Sequence, residues 1–279
     1  MSEPELPGLQ ATTFARVVLA PNPGPMTLDG TNSFVLRAPG SPGVVVVDPG
    51  PSDAGHLARL AGFGHVELVL VTHNHLDHTE SLAEFARMTD APVRAIDAAL
   101  CIGGDPLVDG ERIEAAGLAI EVVATPGHTA DSVCFGLPGD TPLGGGAEAR
   151  GAEARGAHGS VLTGDTILGR GTTIIADPDG ALGPYLESLA RLRALGTPGP
   201  VVALTGHGPV LPDLAAICDA YLAHRAERLD QVRAALRTLG DDATTEQVTD
   251  IVYADTNASV RVAAEASVRA QLRYLRGTA

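Results

Sequence analysis

A short run of metal-binding residue types follows an apolar segment in the first third of the chain. The run is His73-Asn74-His75-Leu76-Asp77-His78, and it comes directly after Val66-Glu67-Leu68-Val69-Leu70-Val71. Because residues at positions i and i+2 of an extended segment point to the same side, His73 and His75 can bind one metal ion. Asp77 and His78 lie further along the loop and are free to face a second ion. The pattern predicts metal chemistry of the hydrolytic kind at a strand end.

Three further candidate ligands occur downstream, each after a short β-like run. His128 follows the run 120–124, Asp165 follows 161–162 and His207 follows 201–204. Together with the first run they make a set of five histidines and two aspartates. Imidazole suits zinc and iron, and a carboxylate adds charge and can bridge two ions. We therefore expect one metal site at the rim of a sheet, with ligands delivered by four strand ends.

This order of motifs resembles the metallo-β-lactamase superfamily. The resemblance implies that His73, His75 and His128 bind a first metal ion, that Asp77, His78 and His207 bind a second, and that Asp165 bridges the two. It implies two zinc ions as cofactors, with iron and manganese as open alternatives. The expected nucleophile is a metal-bound hydroxide, because a divalent ion lowers the pKa of its water towards about 7.

Among these residues Asp77 is the expected catalytic group, since a carboxylate beside the hydroxide can orient it and hold a transferred proton. Asp48 and Thr72 flank the site by position. Either of them can orient a ligand histidine through a hydrogen bond or serve only in a turn at the strand end.

Longer motifs, two of which contain ligands, look like those of one branch, the lactamase-beta-like endoribonucleases, over roughly residues 14 to 277. They are Pro21 to Asn32, Gly164 to Gly169, Gly171-Thr172-Thr173, His207 to Val210, and Tyr221 with His224-Arg225. This resemblance implies an α/β fold, a four-layered αβ/βα sandwich followed by a small winged-helix-like helical domain. It also implies cleavage of single-stranded RNA.

The pattern along the chain predicts two domains. Residues 1–212 form the expected catalytic domain, with helices near 52–60 and 78–88 between the strands. A Gly/Ala-rich insertion at 139–160, which contains His158, is expected to be a mobile surface loop. Residues 213–279 form the expected helical domain, with a long helix at 213–239, a helix from a capping box at Thr244-Thr245-Glu246-Gln247, and a last helix at 259–275.

Composition restricts the partners. The net charge is −15 and only 3% of residues are aromatic, which argues against an extended nucleic-acid surface and leaves a small-molecule or single-stranded RNA substrate. The three cysteines are odd in number and form no Cys-x-x-Cys pair, so we expect reduced thiols. No apolar run approaches 18 residues and the first residues lack a signal-peptide pattern, so we expect a cytoplasmic protein without a membrane span.

Four functions compete. The first is an RNA phosphodiesterase, supported by the whole-chain resemblance. The second is a thioesterase like glyoxalase II, or a β-lactam hydrolase, which the same ligand set can serve. The third is an iron-dependent sulfur dioxygenase, and the fourth is a metal-stabilised binding module without activity.

His224 is a candidate substrate contact or part of a charged helix face, whereas His56 and His65 are expected to pack or to face solvent.

Overall fold

Two β-sheets form the centre of the computed structural model, which describes residues 8–143, 159–175, 177–197, 199–254 and 261–277. The first sheet has the strand order β1-β2-β3-β4-β5-β6 and the second has the order β11-β10-β9-β8-β7. The strands are β1 (Leu9–Gln10), β2 (Ala15–Leu19), β3 (Asn32–Leu36), β4 (Gly43–Val47), β5 (His65–Leu70), β6 (Val93–Arg94), β7 (Arg112–Ala115), β8 (Leu118–Ala124), β9 (Val133–Pro138), β10 (Gly159–Gly164) and β11 (Val202–Thr205).

Helices cover the outer faces of the two sheets and make up the C-terminal part. They are α1 (Ala54–Ala61), α2 (Leu76–Thr79), α3 (Leu82–Thr89), α4 (Leu182–Leu195), α5 (Leu214–Leu239), α6 (Thr245–Val252) and α7 (Arg261–Arg276), with a short 3-10 turn at Ala98–Leu100.

The side chains of β4 show how the layers are built. Val45 and Val47 belong to the core between the two sheets, whereas Val44 and Val46 pack in a second core against α1 and α3. This alternation is the consequence of successive side chains pointing to opposite faces of a strand. On the second sheet, Leu162 faces the first sheet and its neighbour Val161 packs with α4 and α5. The predicted four-layered αβ/βα sandwich is confirmed.

Strand direction brings the predicted ligands to one rim. β4 and β5 are parallel, and so are β10 and β11. β8 runs the same way as β10, because both are antiparallel to β9. The carboxyl ends of these strands therefore meet at one edge of the sandwich, where open α/β sheets place their ligands.

The helix expected over residues 78–88 is interrupted. α2 ends at Thr79 and α3 begins at Leu82, because Gly50 from the loop after β4 inserts between them. Its N–H donates to the His78 carbonyl and its carbonyl accepts from the Ser81 hydroxyl at 2.8 Å. These contacts with another segment replace the bonds that a continuous helix would make.

Two other predictions, the insertion at 139–160 and the start of the last helix, fall partly on residues that the structure does not describe. The insertion predicted at 139–160 falls mainly on residues 144–158, including His158, which lie outside the described part. Gly159 and Ser160, the last two residues of the predicted insertion, are the first two residues of β10. The last helix is described from Arg261 onward, and the expected start at 259–260 lies outside the description.

The long helix α5 joins two cores. Its first half carries Leu214, Cys218 and Tyr221 into the core against the second sheet, while Val232 and Ala235 pack with α6 and α7. The capping box predicted at Thr244 and Gln247 is present. The boundary at residues 212/213 stays a prediction. Among the helices of the described segments, none combines the length and apolarity needed to cross a membrane.

Candidate metal centre

The structure brings all seven predicted ligands together at the rim, and we refer to them as the seven-residue cluster. They form two groups, in each of which one ligand atom per residue lies within 4.8 Å of every other. The first group is His73, His75, His128 and Asp165, and the second is Asp77, His78 and His207. This division matches the assignment expected from the resemblance, with Asp165 placed in the first group.

Three imidazole nitrogens converge in the first group. His75 Nδ1 lies 3.1 Å from His73 Nε2 and 3.1 Å from His128 Nε2. Nitrogens that bind one tetrahedral zinc ion at 2.0–2.1 Å lie roughly 3.3 Å apart. The spacing of the three side chains is therefore close to that of a metal-bound triad.

Hydrogen bonds on the outer side of the rings fix which nitrogen carries the proton. His128 Nδ1 lies 2.7 Å from the Ile174 carbonyl and His207 Nδ1 lies 3.1 Å from the Gly30 carbonyl. A carbonyl only accepts, so each Nδ1 donates, and in the neutral ring the lone pair is on Nε2. Both Nε2 atoms face the cluster.

Asp48 fixes two further rings in the same way. It accepts from the Thr72 hydroxyl at 2.6 Å and from His78 Nδ1 at 2.8 Å. Since the Thr72 hydroxyl gives its proton to Asp48, it accepts from His73 Nδ1 at 3.0 Å. Asp48 and Thr72 thus have the ligand-orienting contacts proposed for them from their position. Asp48 also turns the chain after β4, with a φ of 52°.

Carboxylates lie opposite these nitrogens. His207 Nε2 is 3.1 Å from Asp77 Oδ2 and 3.3 Å from Asp165 Oδ2, and His128 Nε2 is 3.8 Å from Asp165 Oδ2. A nitrogen lone pair facing a carboxylate oxygen is repulsive unless a proton or a metal cation lies between them. The donor set therefore fits one or more cations at its centre.

The charges respond to this arrangement. Burial lowers the pKa of His207, but contacts with Asp165 and Asp77 outweigh it and raise that pKa to about 9. Burial likewise disfavours the charged form of His78, and Asp48 more than compensates, so its pKa is well above the ordinary value. Burial and the neighbouring His78 hold the pKa of His73 well below that value. The carboxylates thus stabilise positive charge within the cluster, whether it comes from a protonated histidine or from a metal ion.

Asp165 is the most enclosed carboxylate. Burial raises its pKa, yet the hydrogen bond with His207 and the nearby His78 lower it far more, so it is ionised. Its Oδ1 has no hydrogen-bond partner within the described part of the chain. Glycine is needed at position 206, because a Cβ there would lie 2.4 Å from Asp165 Oδ1 and would clash with it. A buried, ionised and unpartnered oxygen is suited to a metal ion.

Several contacts at the cluster could not be predicted from residue type. Thr31 donates to Asp77 Oδ2 at 3.1 Å and accepts from the Asn22 amide at 2.9 Å. Asn32 donates to the Thr205 and Gly208 carbonyls, both at 2.9 Å, and so holds the turn that carries His207. The available sequence signal is the Pro- and Gly-containing segment Pro21 to Asn32, which the resemblance includes without assigning it a contact with the ligands.

The other histidines in the described part of the chain are separate from the cluster. His56 is buried and bonded to the Ser33 hydroxyl at 2.8 Å, and His65 is exposed at the start of β5. His224 lies near the Thr172 hydroxyl, at 3.5 Å, and its role as a substrate contact stays a prediction. The three cysteines are unpaired, as expected.

Comparisons with known proteins agree with this geometry. A family model described as the metallo-beta-lactamase superfamily matches residues 26–207, the range that holds the whole seven-residue cluster. The chain is 28% identical over 270 residues to a beta-lactamase-like protein 2 homolog of Caenorhabditis elegans, covering 92% of this chain and 82% of the relative. It is 30% identical over 257 residues to an atrochrysone carboxyl ACP thioesterase of Aspergillus fumigatus, covering 86% and 73%.

A solved structure has a similar fold. A metallo-beta-lactamase family protein from Thermus thermophilus superposes with a TM-score of 0.70 at 23% identity, covering 95% of this chain and 93% of that one. At this identity the likeness concerns the fold. It extends beyond residue 207 and therefore includes helices that follow the cluster.

Proposed function

Because the chain belongs to the metallo-beta-lactamase superfamily, we propose that it is a hydrolase that uses two divalent metal ions bound by the seven-residue cluster. The observation that carries this proposal is the convergence of imidazole Nε2 atoms on the buried, ionised Asp165. When bound, divalent ions at such a site acidify water and polarise the oxygen of a scissile bond. Zinc is the proposed metal, since nitrogen-rich tetrahedral sites suit it, and iron and manganese are the alternatives.

Asp77 has the properties of a group that orients the attacking water or hydroxide by accepting a hydrogen bond from it. Its side chain is 26% exposed, against 11% for Asp165, so it is the cluster carboxylate that faces the opening. Hydrogen bonds from His207 and His78 outweigh its burial and hold its pKa well below the ordinary value. The Thr31 hydroxyl donates to Oδ2 of Asp77 and does not engage its other oxygen, Oδ1. Asp77 is therefore a charged acceptor held in a fixed orientation.

The surroundings of the cluster favour an acyl thioester as substrate. Leu76, between His75 and Asp77 in the sequence, is 73% exposed, which offers an apolar contact next to two residues of the cluster. Asp179 accepts from the Asn74 amide at 3.1 Å and places negative charge at the same rim. That charge, with the net charge of −15, opposes a phosphate backbone. The thioesterase among the relatives supports the same substrate class.

Single-stranded RNA is the second candidate. It is favoured by the resemblance to the endoribonuclease branch, which includes motifs beyond the ligands such as Tyr221 with His224-Arg225. No extended nucleic-acid surface is needed for it, because two divalent ions would reverse the local field. A cytoplasmic location is likewise retained as part of the proposal.

A substrate panel tests the proposal. Wild-type protein loaded with Zn²⁺ is assayed against acyl N-acetylcysteamine thioesters, a single-stranded RNA oligonucleotide, S-lactoylglutathione and a chromogenic cephalosporin. We expect thioester hydrolysis, and we expect His75→Ala and Asp165→Ala to lower it at least about 100-fold through lost metal. The matched control is His65→Ala, an exposed histidine in β5, which should retain wild-type turnover.

The outcomes separate the candidates. RNA cleavage without thioester hydrolysis would transfer the assignment to the second candidate. Turnover that persists in His75→Ala and Asp165→Ala would contradict metal-dependent hydrolysis at this cluster, whichever substrate is used.

A further inference from the structure

The motif formed by Tyr221, His224 and Arg225 on α5 is not explained by the cluster. Among the described residues no candidate ligand lies beyond His207, and the matched family range ends there as well. Yet Tyr221 and Arg225 are buried and face the segment 165–175, which begins with the bridging carboxylate. We refer to residues 165–175 as the bridge segment.

Two tyrosines and an arginine hold the bridge segment from the outer side. The Tyr221 hydroxyl accepts from the Leu168 N–H at 3.0 Å and donates to the Leu168 carbonyl at 3.3 Å. The Tyr185 hydroxyl, on α4, donates to the Thr166 carbonyl at 2.8 Å. Arg225 donates to the Thr173 carbonyl, and its guanidinium carbon lies 5.0 Å from the centre of the Tyr185 ring.

On its inner side the bridge segment contacts the cluster at two points. The Thr173 hydroxyl donates to the backbone carbonyl of Asp165 at 2.7 Å, which fixes the start of the segment relative to its end. The next carbonyl, that of Ile174, accepts the Nδ1 proton of His128 and so determines the direction of its Nε2. Thr173 is thus held by Arg225 through its carbonyl while it positions both a carboxylate and an imidazole.

Packing alone does not account for the guanidinium. Arg225 is 5% exposed, and its Nε has no partner in the described part of the chain. Its described contacts are a carbonyl and an aromatic ring, with no salt bridge among the described residues. Removing a charge from water is costly, and an apolar side chain would fill the space without that cost. The presence of a buried guanidinium is therefore explained by its hydrogen bond to the Thr173 carbonyl.

We propose that Arg225 is a positioning residue for the metal centre: it fixes the Thr173 carbonyl and thereby the placement of Asp165 and the tautomer of His128. This inference rests on the proposed two-metal function. It gives the long C-terminal helix a part in building the site, although the helix supplies no ligand. Outer contacts of this kind commonly change metal affinity by about 10–100-fold.

The test compares Arg225→Met with Arg237→Met. Arg237 is an exposed arginine on the same helix, so the two variants remove the same charge from one element. Zn²⁺ affinity is measured by competition with a chromophoric chelator, the absorption spectrum is recorded with Co²⁺, and the ¹⁵N shifts of His128 are recorded in the metal-free protein. We expect Arg225→Met to lose about 10–100-fold in Zn²⁺ affinity, to alter the Co²⁺ spectrum and to mix the two tautomers of His128. Arg237→Met should match the wild type in all three.

Two milder variants keep the inference testable if Arg225→Met does not fold. Arg225→Lys retains a donor without the planar fork and should lose less affinity, and Tyr221→Phe removes only the bonds to Leu168. Both should weaken Zn²⁺ binding relative to Arg237→Met. Wild-type affinity and an unchanged Co²⁺ spectrum in all three altered proteins, whatever their melting temperatures, would overturn the positioning role.

The failure of this inference can be told from failure of the proposed function. If the wild type binds no Zn²⁺, the proposed function fails, and the ¹⁵N shifts of the metal-free protein still report whether Arg225 controls the His128 tautomer. If the wild type binds Zn²⁺ and the variants bind equally well, only the positioning role fails.

Discussion

At the scale of single residues, the site depends on hydrogen bonds that fix one atom of each ligand. Four histidines are bound on the outer side through Nδ1, by carbonyls, by Asp48 or by the Thr72 hydroxyl. The proton on Nδ1 leaves Nε2 as the inward atom, so the ring orientation is set before any ion binds. Asp77 is oriented in the same manner by Thr31.

Thr31→Val tests the orientation of Asp77. Valine has nearly the shape of threonine but lacks the hydroxyl, so Asp77 loses the donor at 3.1 Å and the Asn22 amide loses its acceptor. We expect kcat to fall about 10-fold or more with little change in KM, and the lost bond to Asn22 to lower the melting temperature. The control is Thr238→Val, far along α5. Equal kcat for Thr31→Val and the wild type would show that the hydroxyl does not orient the carboxylate.

Residue type made the ligands predictable, but not what surrounds them. Histidine and aspartate after a strand indicate metal chemistry from the sequence, and all seven predicted ligands come together. The carbonyls of Gly30 and Ile174 could not be foreseen, because every residue has a carbonyl and only the fold decides which one meets a ring. The same reason hid the interruption between α2 and α3, which depends on Gly50 from another segment.

At the scale of elements, Asp140 connects three parts of the sandwich. It lies just after β9 and is buried, and it accepts from the Thr12 hydroxyl at 2.6 Å, the Phe14 N–H at 2.8 Å and the Ser160 hydroxyl at 2.5 Å. The first two donors, Thr12 and Phe14, precede β2 of the first sheet, and Ser160 is the second residue of β10. One carboxylate thus ties the edge of the first sheet to the second sheet.

Asp140→Ala should therefore destabilise the protein without acting on the cluster. Removing the carboxylate leaves several buried donors unpaired, at about 1–3 kcal/mol for such a group, so the free energy of unfolding should fall by about 3 kcal/mol. Urea denaturation checks this, with the exposed Asp242→Ala as control. A loss no larger than that of the control would mean that Asp140 does not tie the two sheets together.

At the scale of the whole molecule, the acidic chain places buried histidines with raised pKa values next to the carboxylates of the metal centre. Contacts with carboxylates raise the pKa of His207 to about 9 and that of His78 well above its ordinary value. Below those values both rings hold protons that a metal ion must displace. The sign follows: the affinity for a divalent ion rises with pH as His207 and His78 lose these protons.

Calorimetry can measure this linkage. Titration of Zn²⁺ in buffers of different ionisation enthalpy gives the number of protons released per chain. We expect release at about pH 7 and clearly less at about pH 9.5, because His207 has by then lost its proton. An equal number at the two pH values would indicate that His207 is already neutral in the metal-free protein.

The central claim is that the seven-residue cluster binds two metal ions, and anomalous diffraction from a crystal of the Zn²⁺-loaded protein measures it directly. We predict two zinc peaks, one contacted by His73, His75 and His128, the other by Asp77, His78 and His207, with Asp165 between them. A single peak at the first group, or zinc bound only elsewhere on the chain, would contradict the account.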